Sequence, residues 1–151
     1  MSKHILLVED NPTDEKLTLR AFRQSGLAND IAVVRDGAEA LDYLFRVNQH
    51  STREPAENPA LVLLDLSLPK IDGHEVLRRL RADERTKLIP VVILTSSKQD
   101  EDVVRSYTFG ANAHVRKPVA FAEFAEAAKT LGMFWLLINE PPPARGSIAP
   151  P

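Results

Sequence analysis

This chain contains the stretch Leu61-Val62-Leu63-Leu64-Asp65-Leu66-Ser67-Leu68-Pro69, in which a short apolar run ends in a carboxylate. Such a run is typical of a strand that is buried on both faces of a parallel sheet. The carboxyl ends of these strands form the edge where α/β proteins bind their ligands. The stretch therefore predicts a parallel sheet with Asp65 at its functional edge.

The bulk composition is that of one globular domain. The chain has 151 residues, of which 44% are hydrophobic and 26% charged, and this is enough to bury one core. The net charge of −2 gives no basic character, so we expect no nucleic-acid partner. Cysteine is absent, which excludes disulfides and thiolate metal sites. We read the N-terminal apolar run as a strand, and no stretch reaches the ~18–20 apolar residues of a membrane span, so we expect a cytoplasmic protein without membrane contact.

Short apolar runs alternate with longer amphipathic segments along the chain, as in repeated βα units. The predicted strands are 4–9, 30–35, 61–65, 90–95 and 113–116, and the predicted helices are 13–25, 37–48, 73–83, 98–108 and 119–138. Right-handed crossovers then predict an α/β, single-domain, flavodoxin-like (βα)5 fold with the parallel strand order 2-1-3-4-5.

Capping residues support several of these helix boundaries. Asn11 followed by Pro12 is a typical helix start, and Asp36 with Glu39 has the spacing of a capping box. Gly26 and Gly110 can end the first and fourth helices in the left-handed conformation.

The domain is predicted to cover residues 1–139. Within it, residues 49–60 form a polar connection that is longer than most loops of this type. Residues 140–151 are rich in proline, cannot form a helix, and are predicted to be a flexible tail.

Polar side chains stand at the carboxyl ends of four predicted strands: Glu9 and Asp10, then Asp65, Thr95 and Lys117. Parallel strands bring these ends to one edge. Asp10 and Asp65 can together hold a hard cation, and Mg²⁺ suits a site with few carboxylates and several waters. Asp65 can act as a nucleophile towards a phosphoryl group, whose oxygens would bind the metal, Thr95 and Lys117.

Each of these residues also has an ordinary structural explanation. A lone acid after a strand is usually a helix cap or a solvated loop residue, and a lone lysine is usually a surface charge. Their joint occurrence at successive strand ends favours a metal-assisted phosphoryl-transfer site.

The chain resembles the response-regulator receiver domains of bacterial two-component signalling over residues 3–138. The motifs that carry the resemblance are Ile5-Leu6-Leu7-Val8-Glu9-Asp10-Asn11, Leu63-Leu64-Asp65-Leu66-Ser67-Leu68-Pro69-Lys70-Ile71-Asp72-Gly73, Val92-Ile93-Leu94-Thr95-Ser96 and Val115-Arg116-Lys117-Pro118.

The resemblance implies a role for each matched position. It implies that Asp65 is the phosphoacceptor and that Asp10 and Asp65 are metal ligands. It also implies that the backbone carbonyl of Ser67 is a third ligand and that Glu9 acts through water.

Further roles follow from the same resemblance at the later strands. It implies that Thr95 is the switch hydroxyl and Lys117 the phosphate-pairing lysine. One position departs from the family, because receivers often carry Tyr or Phe where this chain has His114.

A narrower resemblance concerns the single-domain response regulators that work with phytochrome-type histidine kinases. This resemblance rests on three features: the long loop at 49–60, the motif Asp65-Leu66-Ser67-Leu68-Pro69-Lys70 and the aromatic last helix. It implies a sensor histidine kinase, of the bacteriophytochrome type, as the partner.

The end of the last predicted helix is apolar nearly all round. Residues 131–138 read Leu-Gly-Met-Phe-Trp-Leu-Leu-Ile, so one face can dock on the sheet while the rest leaves an apolar patch. We therefore expect a homodimer through the region 98–138; the alternative is that the long loop covers the patch.

The leading functional hypothesis is a phosphoacceptor signalling protein, which is not an enzyme acting on a separate substrate but promotes its own phosphotransfer and dephosphorylation. The alternative is a phosphohydrolase that passes through an aspartyl-phosphate, although Ser67 stands where many such enzymes have a second acid. A third hypothesis is a receiver-like binding module that is never phosphorylated.

Overall fold

The computed structural model describes residues 4–24, 30–52, 58–95, 109–111 and 113–116, with only the backbone described for residues 21, 24, 95 and 113–116. Its elements in chain order are β1 (Ile5–Val8), α1 (Pro12–Gln24), β2 (Ile31–Val34), α2 (Gly37–Phe45), β3 (Leu61–Asp65), α3 (Gly73–Ala82), β4 (Val91–Thr95) and β5 (Ala113–Arg116). A single turn of 3₁₀ helix, Asn48–His50, follows α2.

The five strands form one parallel sheet in the order β2-β1-β3-β4-β5, which confirms the predicted topology. Strand β1 lies between β2 and β3, and it pairs Val8 with Val34 on one side and with Leu64 on the other. The crossover from β2 to β3 therefore passes over β1. This arrangement brings the carboxyl ends of β1 and β3 next to each other.

Alternating strand residues supply two apolar layers, one on each face of the sheet. One layer joins the sheet to α2 and α3, and its strand members are Leu6, Val8, Val34, Val62, Leu64, Val91 and Ile93. The other includes Phe22 of α1, and its strand members are Ile5, Leu7, Leu61, Leu63, Val92 and Leu94. Because both faces are covered, the strands read as continuous apolar runs rather than as alternating ones.

The first helix begins as its sequence predicts. The side-chain oxygen of Asn11 accepts hydrogen bonds from the backbone N–H groups of Thr13 and Asp14, at 2.9 and 3.1 Å. These are donors that have no partner within the helix, so Asn11 stabilises the start of α1.

The second helix is shorter than predicted. It ends at Phe45 rather than near residue 48, because Arg46 adopts a left-handed conformation with φ of 57°. The backbone N–H of Arg46 donates to the carbonyls of Asp42 and Tyr43, which closes the helix. The sequence did not predict this helix end, because glycine or asparagine, rather than arginine, is the usual residue in the left-handed conformation.

The third helix begins with a cap that the sequence analysis overlooked. The carboxylate of Asp72 accepts a hydrogen bond from the backbone N–H of Glu75 at 3.0 Å. The spacing of Asp72 and Glu75 is the same as that of Asp36 and Glu39, so the signal was present. Glu75 also pairs with Arg78 and Arg79 along the helix, and the hydrogen bond from Arg78 is the main cause that lowers its pKa to about 2.

Several predictions fall on residues outside the described part of the chain. These are the helices at 98–108 and 119–138, the helix stop at Gly26, the apolar surface at 131–138 and the tail at 140–151. Gly110 is described, and its φ of 99° is the left-handed conformation predicted for it. Within the described residues, no helix combines the length and the apolar character that crossing a membrane requires.

Replacing Asp72 tests the cap of α3. We expect Asp72→Ala to lower the free energy of unfolding by about 1 kcal/mol, because the N–H of Glu75 loses its acceptor. Asp72→Asn keeps an acceptor oxygen and should cost much less. Urea denaturation followed by circular dichroism measures both, and equal losses in the two variants would contradict the assigned cap.

Candidate functional site

The register of the sheet positions the acidic residues. Strand β1 pairs Val8 with Leu64 of β3, so the following residues, Glu9 and Asp65, lie at the same level on neighbouring strands. Adjacent strands are about 4.8 Å apart. One carboxylate oxygen from each of Glu9, Asp10 and Asp65 lies within 4.8 Å of the other two. The structure thus brings together three of the acids that the sequence analysis selected.

Burial differs among the three acids. Glu9 is 1% exposed and Asp65 is 6% exposed, whereas Asp10 is exposed to solvent. Ionised carboxylates held this close repel one another, and a divalent cation relieves that repulsion. The donor set consists of hard oxygens with one side open to water, which fits Mg²⁺ or a similar cation.

Backbone N–H groups orient the two buried carboxylates. Asp65 accepts a hydrogen bond from the N–H of Ser67 at 3.1 Å, and Glu9 accepts one from the N–H of Asn11 at 3.4 Å. Each bond comes from a residue two positions further along, in the loop that follows the strand. The orientation of both carboxylates therefore depends on the conformation of these loops.

The loop from Leu66 to Asp72, called here the β3–α3 loop, folds back on itself. The carbonyl of Leu66 accepts hydrogen bonds from the N–H groups of Leu68 and Gly73, at 3.1 and 3.0 Å. At Gly73 a Cβ atom would lie 2.3 Å from the carbonyl oxygen of Asp65. Glycine is thus required where α3 starts, because the helix packs directly on the backbone of Asp65.

The same loop also rests on the start of α2. The N–H of Gly37 donates to the carbonyl of Pro69 at 3.3 Å, and a Cβ atom at residue 37 would lie 1.8 Å from the carbonyl oxygen of Ile71. Between these two contacts, the ammonium of Lys70 lies 3.3 Å from the carboxylate of Asp36.

Asp36 has a second role in this contact. Its Oδ1 accepts a hydrogen bond from the N–H of Glu39 at 2.7 Å, so it caps α2 as its spacing predicts. The Glu39 carboxylate accepts from the N–H of Arg35 at 3.2 Å, one residue before the usual partner in a capping box. The bond from Glu39, followed by the contact with Lys70, holds the pKa of Asp36 below its ordinary value, although partial burial opposes them.

The remaining candidates lie at the ends of β4 and β5. Asp65 pairs with Leu94, so Thr95, the last residue of β4, lies at the same edge of the sheet. The backbone of Thr95 pairs with Arg116, which ends β5. Lys117 and the side chains of Thr95 and His114 lie outside the described part of the structure. Their roles remain predictions.

The residues that support the β3–α3 loop were not predicted from the sequence. Asp36-Gly37 and Asp72-Gly73 each consist of a helix cap followed by the first residue of its helix, and this recurring pair was a usable signal. The conformation of Lys70 could not be predicted from its residue type. Its φ of 68° lies in the left-handed region, where glycine or asparagine is expected rather than lysine.

A comparison with protein families finds one match that covers most of the chain. The model of the response regulator receiver domain matches residues 5–129. These residues include all the strands described above and every acidic residue of the site.

Two curated relatives are similar in sequence. The chain is 43% identical to "Probable methanogenesis regulatory protein FilR2" of Methanothrix harundinacea over 138 residues, which cover 91% of this chain and 86% of the relative. It is 36% identical to response regulator Rcp1 of Synechocystis over 134 residues, with 89% of each covered.

Solved structures show the same likeness. The bacteriophytochrome response regulator RtBRR superposes with a TM-score of 0.79 at 54% identity, covering 95% of this chain and 86% of that one. The Mn²⁺-bound form of Rcp1 superposes with a TM-score of 0.81 at 34% identity, covering 93% of this chain and 99% of that one.

Proposed function

Because this chain belongs to the response regulator receiver domain family, whose members are phosphoacceptor signalling proteins, we propose that it is a single-domain response regulator in which Asp65 accepts a phosphoryl group from a sensor histidine kinase. The observation that carries the proposal is the cluster of Glu9, Asp10 and Asp65 at the carboxyl edge of the sheet. The cytoplasmic location expected from the sequence is part of the proposal.

The chemistry follows from the position of Asp65. One oxygen of its carboxylate attacks the phosphorus of a phosphohistidine, an oxygen–phosphorus bond forms, and the phosphorus–nitrogen bond breaks. The imidazole nitrogen retains the bonding electrons and takes up a proton. The hydrogen bond from the Ser67 N–H supports this step, because it fixes the rotation of the attacking carboxylate. The chain in this way promotes its own phosphorylation, and water later hydrolyses the acyl phosphate.

Mg²⁺ is the proposed cofactor. Asp10, Asp65 and the backbone carbonyl of Ser67 would hold it, with Glu9 acting through water. When bound there, Mg²⁺ would supply positive charge to neutralise the phosphoryl oxygens. The three clustered carboxylates support this assignment, and so does the similarity to a structure of Rcp1 in its Mn²⁺-bound form.

Thr95 and Lys117 are proposed to bind the phosphoryl oxygens and to sense the modification. Phosphorylation adds close to two negative charges at Asp65, which attract a hydroxyl donor and an ammonium. Movement of Thr95 and Lys117 towards the phosphoryl group would change the surface of the neighbouring elements and so the affinity for a partner.

The proposed kinase partner is of the bacteriophytochrome type. This chain is 54% identical to RtBRR, which is named for a bacteriophytochrome, and 43% identical to FilR2, which is named for methanogenesis. The higher identity to RtBRR supports a kinase of the bacteriophytochrome type. Output is proposed to pass through a partner protein or through a homodimer formed by the region 98–138.

Phosphorylation of the isolated protein tests the central claim. With Mg²⁺ and acetyl phosphate, we expect the intact mass to increase by one phosphoryl group, and Asp65→Asn to abolish the increase because it removes the nucleophile. Mass spectrometry of the intact protein provides the measurement.

Asp30→Asn serves as the matched control, since Asp30 precedes β2 at the opposite end of the sheet and should leave the mass increase intact. Turnover of phosphomonoesters would favour the phosphohydrolase alternative instead. An unchanged mass in the wild-type protein would favour the binding module and refute the proposal.

Metal binding gives a separate test. We expect Mg²⁺ to raise the melting temperature of the wild-type protein, because a ligand that binds only the folded state stabilises it. Asp10→Asn should weaken the rise strongly by removing a ligand, whereas Asp30→Asn should preserve it. A rise of equal size in Asp10→Asn would exclude Asp10 as a ligand.

Dimerisation can be measured directly. If the region 98–138 forms a homodimer, light scattering should show a mass that increases with protein concentration, and Trp135→Glu should shift it towards the monomer by charging the apolar patch. A monomer at all concentrations, both unmodified and phosphorylated, would remove the dimer from the proposal.

A further inference from the structure

The β3–α3 loop contacts the start of α2 at the edge of the site, where Ile71 also packs against the apolar layer. Residues 69–71 of the β3–α3 loop lie on Asp36 and Gly37, the residues that start α2. The two segments are far apart in sequence, and they meet through one backbone hydrogen bond, one close backbone approach and one ion pair.

The backbone at Lys70 indicates that its side chain matters. Its φ of 68° lies in the left-handed region, which disfavours residues with a Cβ atom. Glycine would remove that strain but would also remove the ammonium that pairs with Asp36. Strained residues of this kind persist where the surrounding structure holds them, and they cluster at functional sites.

The contact reaches the site through a short and tightly folded path. Between Asp65 and Lys70 the loop makes a turn closed by the Leu68–Leu66 bond, and Pro69 accepts hydrogen bonds from both Gly37 and Ile71. The N–H of Ser67, in the same loop, orients the Asp65 carboxylate. A shift of residues 69–71 therefore moves the groups that bind the metal and orient the nucleophile.

Asp36 is well suited to anchor this contact because both of its oxygens are engaged. Oδ1 accepts the N–H of Glu39 and Oδ2 faces the ammonium of Lys70. The helix start is held further by Arg35, whose guanidinium pairs with Glu15 of α1 at 3.1 Å. The Asp36 carboxylate is thus fixed to α2, and the residue before it is tied to α1.

We propose that Asp36 and Lys70 are positioning residues of the phosphotransfer site, whose ion pair holds the β3–α3 loop in the conformation that binds the metal and presents Asp65. This inference rests on the proposed function. It assigns a role to two side chains that do not touch the reacting atoms.

A second ion pair of the chain shows what sets this one apart. Lys87 pairs with Glu84 at 2.9 Å, but the two residues stand three apart in one exposed turn. Breaking that pair changes only local electrostatics. Breaking the pair between Lys70 and Asp36 removes one of the three contacts that join the β3–α3 loop to the start of α2.

The test separates the ion pair from the helix cap. Asp36→Asn keeps an acceptor for the N–H of Glu39 but loses the charge, and Lys70→Gln loses the charge from the other side. Lys70→Arg restores a cation, and Lys87→Gln is the matched control. Calorimetric titration with Mn²⁺ gives the affinity, and the initial rate of modification by acetyl phosphate gives the transfer rate.

At low salt we expect Asp36→Asn and Lys70→Gln each to weaken Mn²⁺ affinity by roughly two- to fivefold, the range of an exposed ion pair. The double variant should lose no more than either single one, because both changes remove the same interaction. Lys70→Arg should recover most of the affinity. In 1 M KCl the ratio of wild type to variant should approach one, since salt screens the pair.

A purely structural role predicts a different pattern. It would lower the melting temperature but leave Mn²⁺ affinity unchanged at low and at high salt, and that result would overturn the inference. Losses that add in the double variant would overturn it as well. A wild-type protein that neither binds Mn²⁺ nor accepts a phosphoryl group would instead refute the proposed function, and this inference with it.

Discussion

The parallel register of β1 and β3 is the constraint on which the site depends. Pairing Val8 with Leu64 fixes Glu9 beside Asp65, and one residue of slippage would put an apolar side chain in the place of an acid. The register is held by the core on both faces, because each strand buries side chains on alternate sides. The same apolar residues that stabilise the fold therefore determine the spacing of the carboxylates.

The functional edge also requires close contacts between backbones. Gly73 lets α3 start against the carbonyl of Asp65, and Gly37 lets α2 start against the carbonyl of Ile71. Neither site tolerates a Cβ atom without movement of the opposing chain. The backbone of the β3–α3 loop contacts both glycines. These contacts fix the conformation of a segment that has no regular secondary structure.

Sequence patterns predicted the parts of this structure that depend on periodicity and strand ends. The apolar runs identified the strands, the right-handed crossovers of the βα units predicted their order, and the acids after β1 and β3 identified the cluster. The patterns failed where the chain adopts a rare conformation, as at Arg46, where α2 ends early, and at Lys70. Backbone propensity describes how a residue type behaves in its local sequence. The left-handed conformations of Arg46 and Lys70 are instead held by hydrogen bonds and by contacts with other segments.

The support of the β3–α3 loop follows from the same physical reasoning. A loop that offers carbonyl oxygens to a cation and N–H groups to a carboxylate cannot use those groups to close a helix or a sheet. Its conformation has to be held by neighbours, and here the neighbour is the start of α2, through Gly37 and Asp36. Motifs at the strand ends carry the clustered acids, while residues that contact the β3–α3 loop lie at the start of α2. That division explains why Asp36 was recognised in the sequence only as a helix cap, although its second oxygen faces the loop that follows Asp65.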